Sequence, residues 1–123
     1  GEHQKAIDDF NKAIELNPNY ADAYGNRGSA YGLLDEHQKA IDDFNKAIEL
    51  NPNYADAYYT RAETYFNLGE YQKAIDDYTK AIELNPEKTE MYQYRSVAYD
   101  NLGKDELAER DLQTWLKLTA SSD

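Results

Sequence analysis

One stretch occurs twice, letter for letter: EHQKAIDDFNKAIELNPNYADAY fills positions 2–24 and again 36–58, a 34-residue offset. A third, near copy begins at Glu70 and differs from 36–52 at three positions, with Tyr71 for His37, Tyr78 for Phe44 and Thr79 for Asn45. A fixed period of this length constrains the fold more than any other feature, because one such unit cannot bury its apolar face except against its neighbours.

The only three prolines, Pro18, Pro52 and Pro86, each follow an asparagine and lie one period apart. Proline has no amide donor and drives the preceding residue out of the helical region, so each Asn-Pro marks a break between helices. A second break falls in the middle of each unit, at Leu34-Asp35, Leu68-Gly69 and Leu102-Gly103. Glycine just past the last apolar residue is a helix C-cap. Asp35 is a poorer left-handed residue that can also cap the next helix. Between the breaks the apolar residues recur at steps of three and four, as in Ala40, Ile41, Phe44, Ala47 and Ile48. Such spacing is helical. It predicts seven helices, at about 3–16, 21–34, 36–50, 54–68, 71–84, 88–102 and 105–118. Each is too short to stand alone, so stacking must hold them.

Aligned by the period, Tyr24, Tyr58 and Tyr92 form one column and Tyr31, Tyr65 and Tyr99 another. Gly28, Ala62 and Ser96 form a small-residue column, as do Ala6, Ala40, Ala74 and Ala108. A 34-residue helix-turn-helix unit with an aromatic, a small residue, a tyrosine, an alanine, an aromatic, an alanine and a closing proline resembles the tetratricopeptide repeat. The resemblance covers essentially the whole chain. It implies an all-α solenoid of antiparallel helix pairs wound as a right-handed superhelix. The expected division is one domain: a half repeat at 2–20 with only its second helix, repeats at 21–54 and 55–88, a divergent terminal repeat at 89–120, and a tail at 121–123. In the terminal repeat Leu112 and Trp115 stand where the pattern has an aromatic and an alanine.

Several functions are excluded or disfavoured. Against 24 acidic residues there are 13 basic ones, a net charge of −11, whereas nucleic acid and anionic membranes both require basic patches. There is no cysteine. No apolar run nears membrane-spanning length and no signal-peptide pattern opens the chain, which makes a soluble, cytoplasmic protein the default expectation. His3 and His37 occupy the same repeat position a whole unit apart, so no metal-ligand spacing arises. The Asp8-Asp9, Asp42-Asp43 and Asp76-Asp77 pairs point about 100° apart on a helix and cannot face one substrate. The second aspartate of each is expected to pair with an arginine of the column Arg27, Arg61, Arg95. With no phosphate loop and no nucleophile beside a base, neither an enzyme nor a cofactor is expected.

A helical projection separates a core face of each first helix from an opposite face. In the first unit that opposite face carries Asp22, Asn26 and Ser29. In the second it carries Asp56, Tyr59, Thr60, Glu63, Phe66 and Asn67, and in the third Glu90, Gln93, Tyr94, Val97 and Asp100. The resemblance implies that this face lines a concave groove for a peptide or protein segment. Tyr59, Phe66 and Tyr94 are aromatics left over once the core columns are filled. They either bind a ligand or pack on one another. The face carries carboxylates and no Lys or Arg, so the expected partner has apolar or aromatic anchors and basic flanks. The glycines Gly25, Gly28 and Gly32 make the helix at 21–34 a plain, mobile one, or else leave a bare face for a ligand backbone.

Both ends of the stack expose apolar side chains: Ile7, Phe10 and Ile14 at one, Trp115 and Leu116 at the other. Such ends fit either a longer array or a homo-oligomer joined through them.

Overall fold

The computed structural model describes residues 1–120; the expected tail at 121–123 lies outside the described residues. Seven helices follow one another: α1 (Glu2–Leu16), α2 (Ala21–Leu33), α3 (His37–Leu50), α4 (Ala55–Asn67), α5 (Tyr71–Leu84), α6 (Glu90–Asn101) and α7 (Asp105–Ala120). Each helix packs on the next, and α2 also touches α4, so these two first helices share a wall. The chain is an all-α solenoid.

The breaks form where the Asn-Pro and mid-unit pairs predict them. Asn17, Asn51 and Asn85 end their helices in extended or near-extended backbone. Asn17 and Asn51 also accept, through Oδ1, the amide of the residue after the proline. That is an Asx turn, which offers the chain an alternative to helix. In mid-unit, Asp35, Gly69 and Gly103 adopt φ of 59°, 77° and 74°. The following amides of Glu36, Glu70 and Lys104 reach back to the carbonyls of Tyr31, Tyr65 and Tyr99, closing each first helix with a Schellman motif. Asp35 serves only this left-handed role: the N-cap of α3 is Glu36, without a side-chain cap bond.

Small residues set the helix separation inside each unit. A β-carbon at Gly28 would stand 2.8 Å from the Phe44 ring and 3.2 Å from the Ala40 carbonyl oxygen. Ala62 and Ala74 are fully buried in the next unit, and Ser96 donates to the Ala108 carbonyl at 2.8 Å in the last. Phe44, Met91 and Ile7 are the largest fully buried side chains.

Arginines tie units together on the other flank. Arg27, Arg61 and Arg95 each donate to a carboxylate through Nε and Nη2, those of Asp43, Asp77 and Asp111, at 2.6–2.8 Å. Through Nη1 each also reaches back to Asn11, Asn45 or Thr79 of the unit before. Tyr24 and Tyr31 flank Arg27, and tyrosine pairs flank the other two guanidinium groups in the same way. Burial pushes the Asp77 carboxyl up, against the pull of Arg61. The ladder differs from the expected one at both ends. It includes Asp111, and it omits Asp9, which is exposed and outside the arginine pairs.

The duplicated stretch therefore occupies two environments. Phe44 is 1% exposed whereas Phe10 is half-buried, and Asp43 is buried whereas Asp9 is not.

Candidate functional site

The side of α4 opposite its core face carries a connected row of three hollows. The first, of about 280 Å³, lies between Asn26 and Ser29 of α2 and Asp56, Tyr59 and Thr60 of α4, with Tyr54 and Lys88 at its edge. The second, of about 260 Å³, shares Ser29 and Thr60, rests on Phe44 and extends past Gly32 and Glu63 to His37, Thr64 and Asn67. The third, of about 240 Å³, begins at Glu63 and Asn67 and is walled by Phe66, Tyr78, Tyr94 and Val97.

Six of the nine positions that line the second hollow recur, one period on, as the lining of the third. Ser29 is replaced by Glu63, Gly32 by Phe66, Leu33 by Asn67, Phe44 by Tyr78, Thr60 by Tyr94 and Glu63 by Val97, each one period on. The scaffold supplies the shape, and the substitutions supply the chemistry: small and hydroxylic in one copy, aromatic in the next.

Beside the third hollow Tyr59 and Tyr94 stack at 6.1 Å with planes 10° apart, and Tyr78 tilts against both at 6.5 and 6.0 Å. Phe66 stands edge-on to Tyr71 at 5.2 Å. Packing on neighbours and facing a ligand are thus not alternatives, since Tyr94 is stacked and still 37% exposed. The Tyr59 hydroxyl sits against Glu63 and Tyr94. Burial, then the Glu63 charge, pushes the Tyr59 pKa well up, and the same two causes raise that of Tyr78. Crowding by the rings removes water from the Glu63 carboxylate and raises its pKa, opposed by the Tyr59 hydroxyl.

Ten of the fourteen residues assigned to the groove line at least one of these hollows. Asp22, Glu90, Gln93 and Asp100 line none of the three. Asp22 instead faces the Tyr54 hydroxyl.

The expectation of a groove without basic residues is overturned by Lys88. Its ammonium lies 3.3 Å from Asp56 and 5.5 Å over the Tyr59 ring. Lys88 falls in the junction column of Tyr20 and Tyr54, one period on from Tyr54, and that spacing is the signal that could have found it. His37, Gly32 and Thr64 also line the wall; the sequence marks Gly32 only as part of a glycine-rich helix and His37 only as a rejected metal ligand, and it gives no sign of Thr64.

The glycine-rich face is likewise not bare: Tyr54 covers Gly25 and Phe44 covers Gly28, and only Gly32 of the three is open. At the stack ends, Ile7 is 2% exposed and belongs to the core rather than to an open face, because α2 packs on α1. Phe10, Ile14 and Trp115 are half-buried and Leu116 is exposed. No helix among the described residues is long and apolar enough to cross a membrane.

Among known proteins, no curated protein matches the chain. A crystal structure of MamA is similar to it at 36% identity and a TM-score of 0.95, covering 99% of this chain and 71% of that one. A second crystal structure of MamA shares 37% identity at a TM-score of 0.91, over 96% of this chain and 64% of the other. MamA from residue 41 to its end, from Desulfovibrio magneticus RS-1, shares the fold at 24% identity and a TM-score of 0.91, over 100% of this chain and 70% of that one. The tetratricopeptide repeat model matches residues 21–54 and 55–88, and a second TPR repeat model matches 1–35. The 34-residue period, the seven stacked helices and these matches agree: the chain belongs to the tetratricopeptide repeat family.

Proposed function

We propose that this chain is a non-enzymatic scaffold that holds a peptide or protein segment along α4, in the row of hollows from Lys88 to Val97. Tetratricopeptide repeat proteins are generally non-enzymatic interaction scaffolds. The observation that carries the finer reading is the third hollow, where exposed Tyr94 and Val97 form an apolar anchor site beside the Glu63 carboxylate. Exposed aromatic anchors ringed by polar groups are a common basis of segment capture. Lys88 neutralises Asp56, so Glu63, which has no cationic partner among the described residues, is the carboxylate left to select a basic flank.

Binding is tested with a synthetic peptide carrying one phenylalanine between lysine flanks, and with its glutamate-flanked counterpart, by fluorescence anisotropy. The lysine peptide binds the native chain more tightly, and Tyr94→Ala or Phe66→Ala weakens it. Preference for the glutamate peptide, or indifference to both truncations, overturns the reading. A second reading, self-association through Phe10, Ile14, Trp115 and Leu116, is favoured by the exposure of Leu116. It predicts a solution mass above one chain that Leu116→Asp lowers.

A further inference from the structure

In the second unit Phe66 lines its hollow and stands edge-on to Tyr71. In the first unit the same two positions are Gly32 and His37. Nothing lies within 4 Å of where a β-carbon on Gly32 would stand, and the hollow there runs on to His37, Thr64 and Asn67 beside Phe44. His37 keeps Nδ1 buried without a hydrogen-bond partner, so no internal bond at that nitrogen fixes the imidazole against an incoming group. The hollow measures about 260 Å³. For comparison, a cavity of roughly 150 Å³ in a protein interior accepts a benzene ring.

We propose that the hollow between Gly32 and His37 takes one aromatic side chain of the bound segment, seated against His37 as Phe66 is seated against Tyr71. This rests on the segment-binding reading above. The array carries its own template for the ligand: where one unit supplies the ring from its own helix, its neighbour leaves the place for a partner's ring. The edge-on geometry suits an aromatic pair, positive edge to negative face. An aliphatic anchor would fill the volume without that geometry.

The chain has only two histidines, His3 and His37, at the same repeat position, and His3 is exposed. Their ring signals in a carbon–proton NMR spectrum therefore report the hollow and an internal reference. On titration with N-acetyl-phenylalaninamide the His37 signal moves and saturates while the His3 signal stays. Gly32→Phe places the template ring in the hollow, at a site with open space and in a helix that gains propensity by losing glycine. It leaves the circular dichroism helical and abolishes the His37 response. A lysine-flanked peptide carrying two phenylalanines, one for each hollow, then binds Gly32→Phe about tenfold more weakly or worse, the factor expected for one lost buried side chain. No response at His37, equal responses at both histidines, or a response that persists in Gly32→Phe overturns the assignment. A peptide that binds the native chain and Gly32→Phe equally overturns the hollow and leaves segment binding standing; one that binds neither overturns both.

Discussion

Tyr54 lies directly over Gly25, its hydroxyl oxygen 2.7 Å from where a β-carbon of residue 25 would be. One period on, the pair is inverted: Tyr59 supplies the ring, and Lys88 lies 5.5 Å over it. The two pairs have the same sequence separation, and each second member faces an acid of the preceding first helix, Tyr54 toward Asp22 and Lys88 toward Asp56. Ring and partner have exchanged places across the junction.

That exchange predicts a coupled effect. Gly25→Tyr alone overpacks against Tyr54 and destabilises by about 1–3 kcal/mol. Gly25→Tyr with Tyr54→Lys recreates the Tyr59–Lys88 arrangement and recovers most of the loss, a coupling within the roughly 0.5–3 kcal/mol seen for contacting residues. Denaturant unfolding of the two singles and the double variant measures it; additivity would contradict the relationship.

The arginine ladder predicts unequal costs for aspartates at the same repeat position. Asp77→Ala leaves Arg61 without its carboxylate in a partly buried site, at a cost of about 3 kcal/mol. Asp9→Ala touches an exposed residue outside the ladder. Its effect stays within about 0.5 kcal/mol, as for ordinary surface substitutions. Urea midpoints of both variants, taken at one pH, decide this.

Asp35 is the one non-glycine residue with positive φ among those described, at the position that Gly69 and Gly103 fill in later units. Left-handed backbone strains a residue with a β-carbon, and Asp35 makes no cap bond to α3 in return. Asp35→Gly therefore raises stability by about 0.5–1 kcal/mol, read as a higher midpoint at unchanged denaturant slope.

Glu63 sets a pH dependence. Because partial burial raises its pKa in the folded state, the fold binds its proton more tightly than the unfolded chain does. Its stabilising contribution is full below the unfolded carboxylate value of about 4.3 and is lost as pH rises through the raised folded value. Glu63→Gln keeps the shape without the charge. Its melting temperature should exceed that of the native chain near neutral pH, and the difference should vanish below about pH 4. A constant difference across the range would assign the effect to packing.

Much of this architecture is legible in the sequence because the period forces equivalent residues into equivalent places. The Asn-Pro and mid-unit breaks mark all seven helices, and the columns around Gly28 and Ala40 mark the close contacts. The arginine pairing is visible as a column, but its phase is not: Arg27 pairs forward along the chain, with Asp43, so Asp9 falls outside. Lys88 is hidden in a column that reads as junction scaffold, and its partner Asp56 lies almost a full period back. His37 sits at the first residue of α3, which a projection of the first helices never samples. Contacts between units depend on how far one helix pair turns relative to the next, and no single helix carries that rotation.

The stretches at 2–24 and 36–58 carry the same local preferences, yet Phe44 is sealed where Phe10 is half-open, and Asp43 is gripped where Asp9 is bare. Intrinsic helix tendency cancels between the two. Any difference in amide exchange or ring-flip rate between them therefore measures what neighbouring helices contribute, with amino-acid identity held constant inside one molecule.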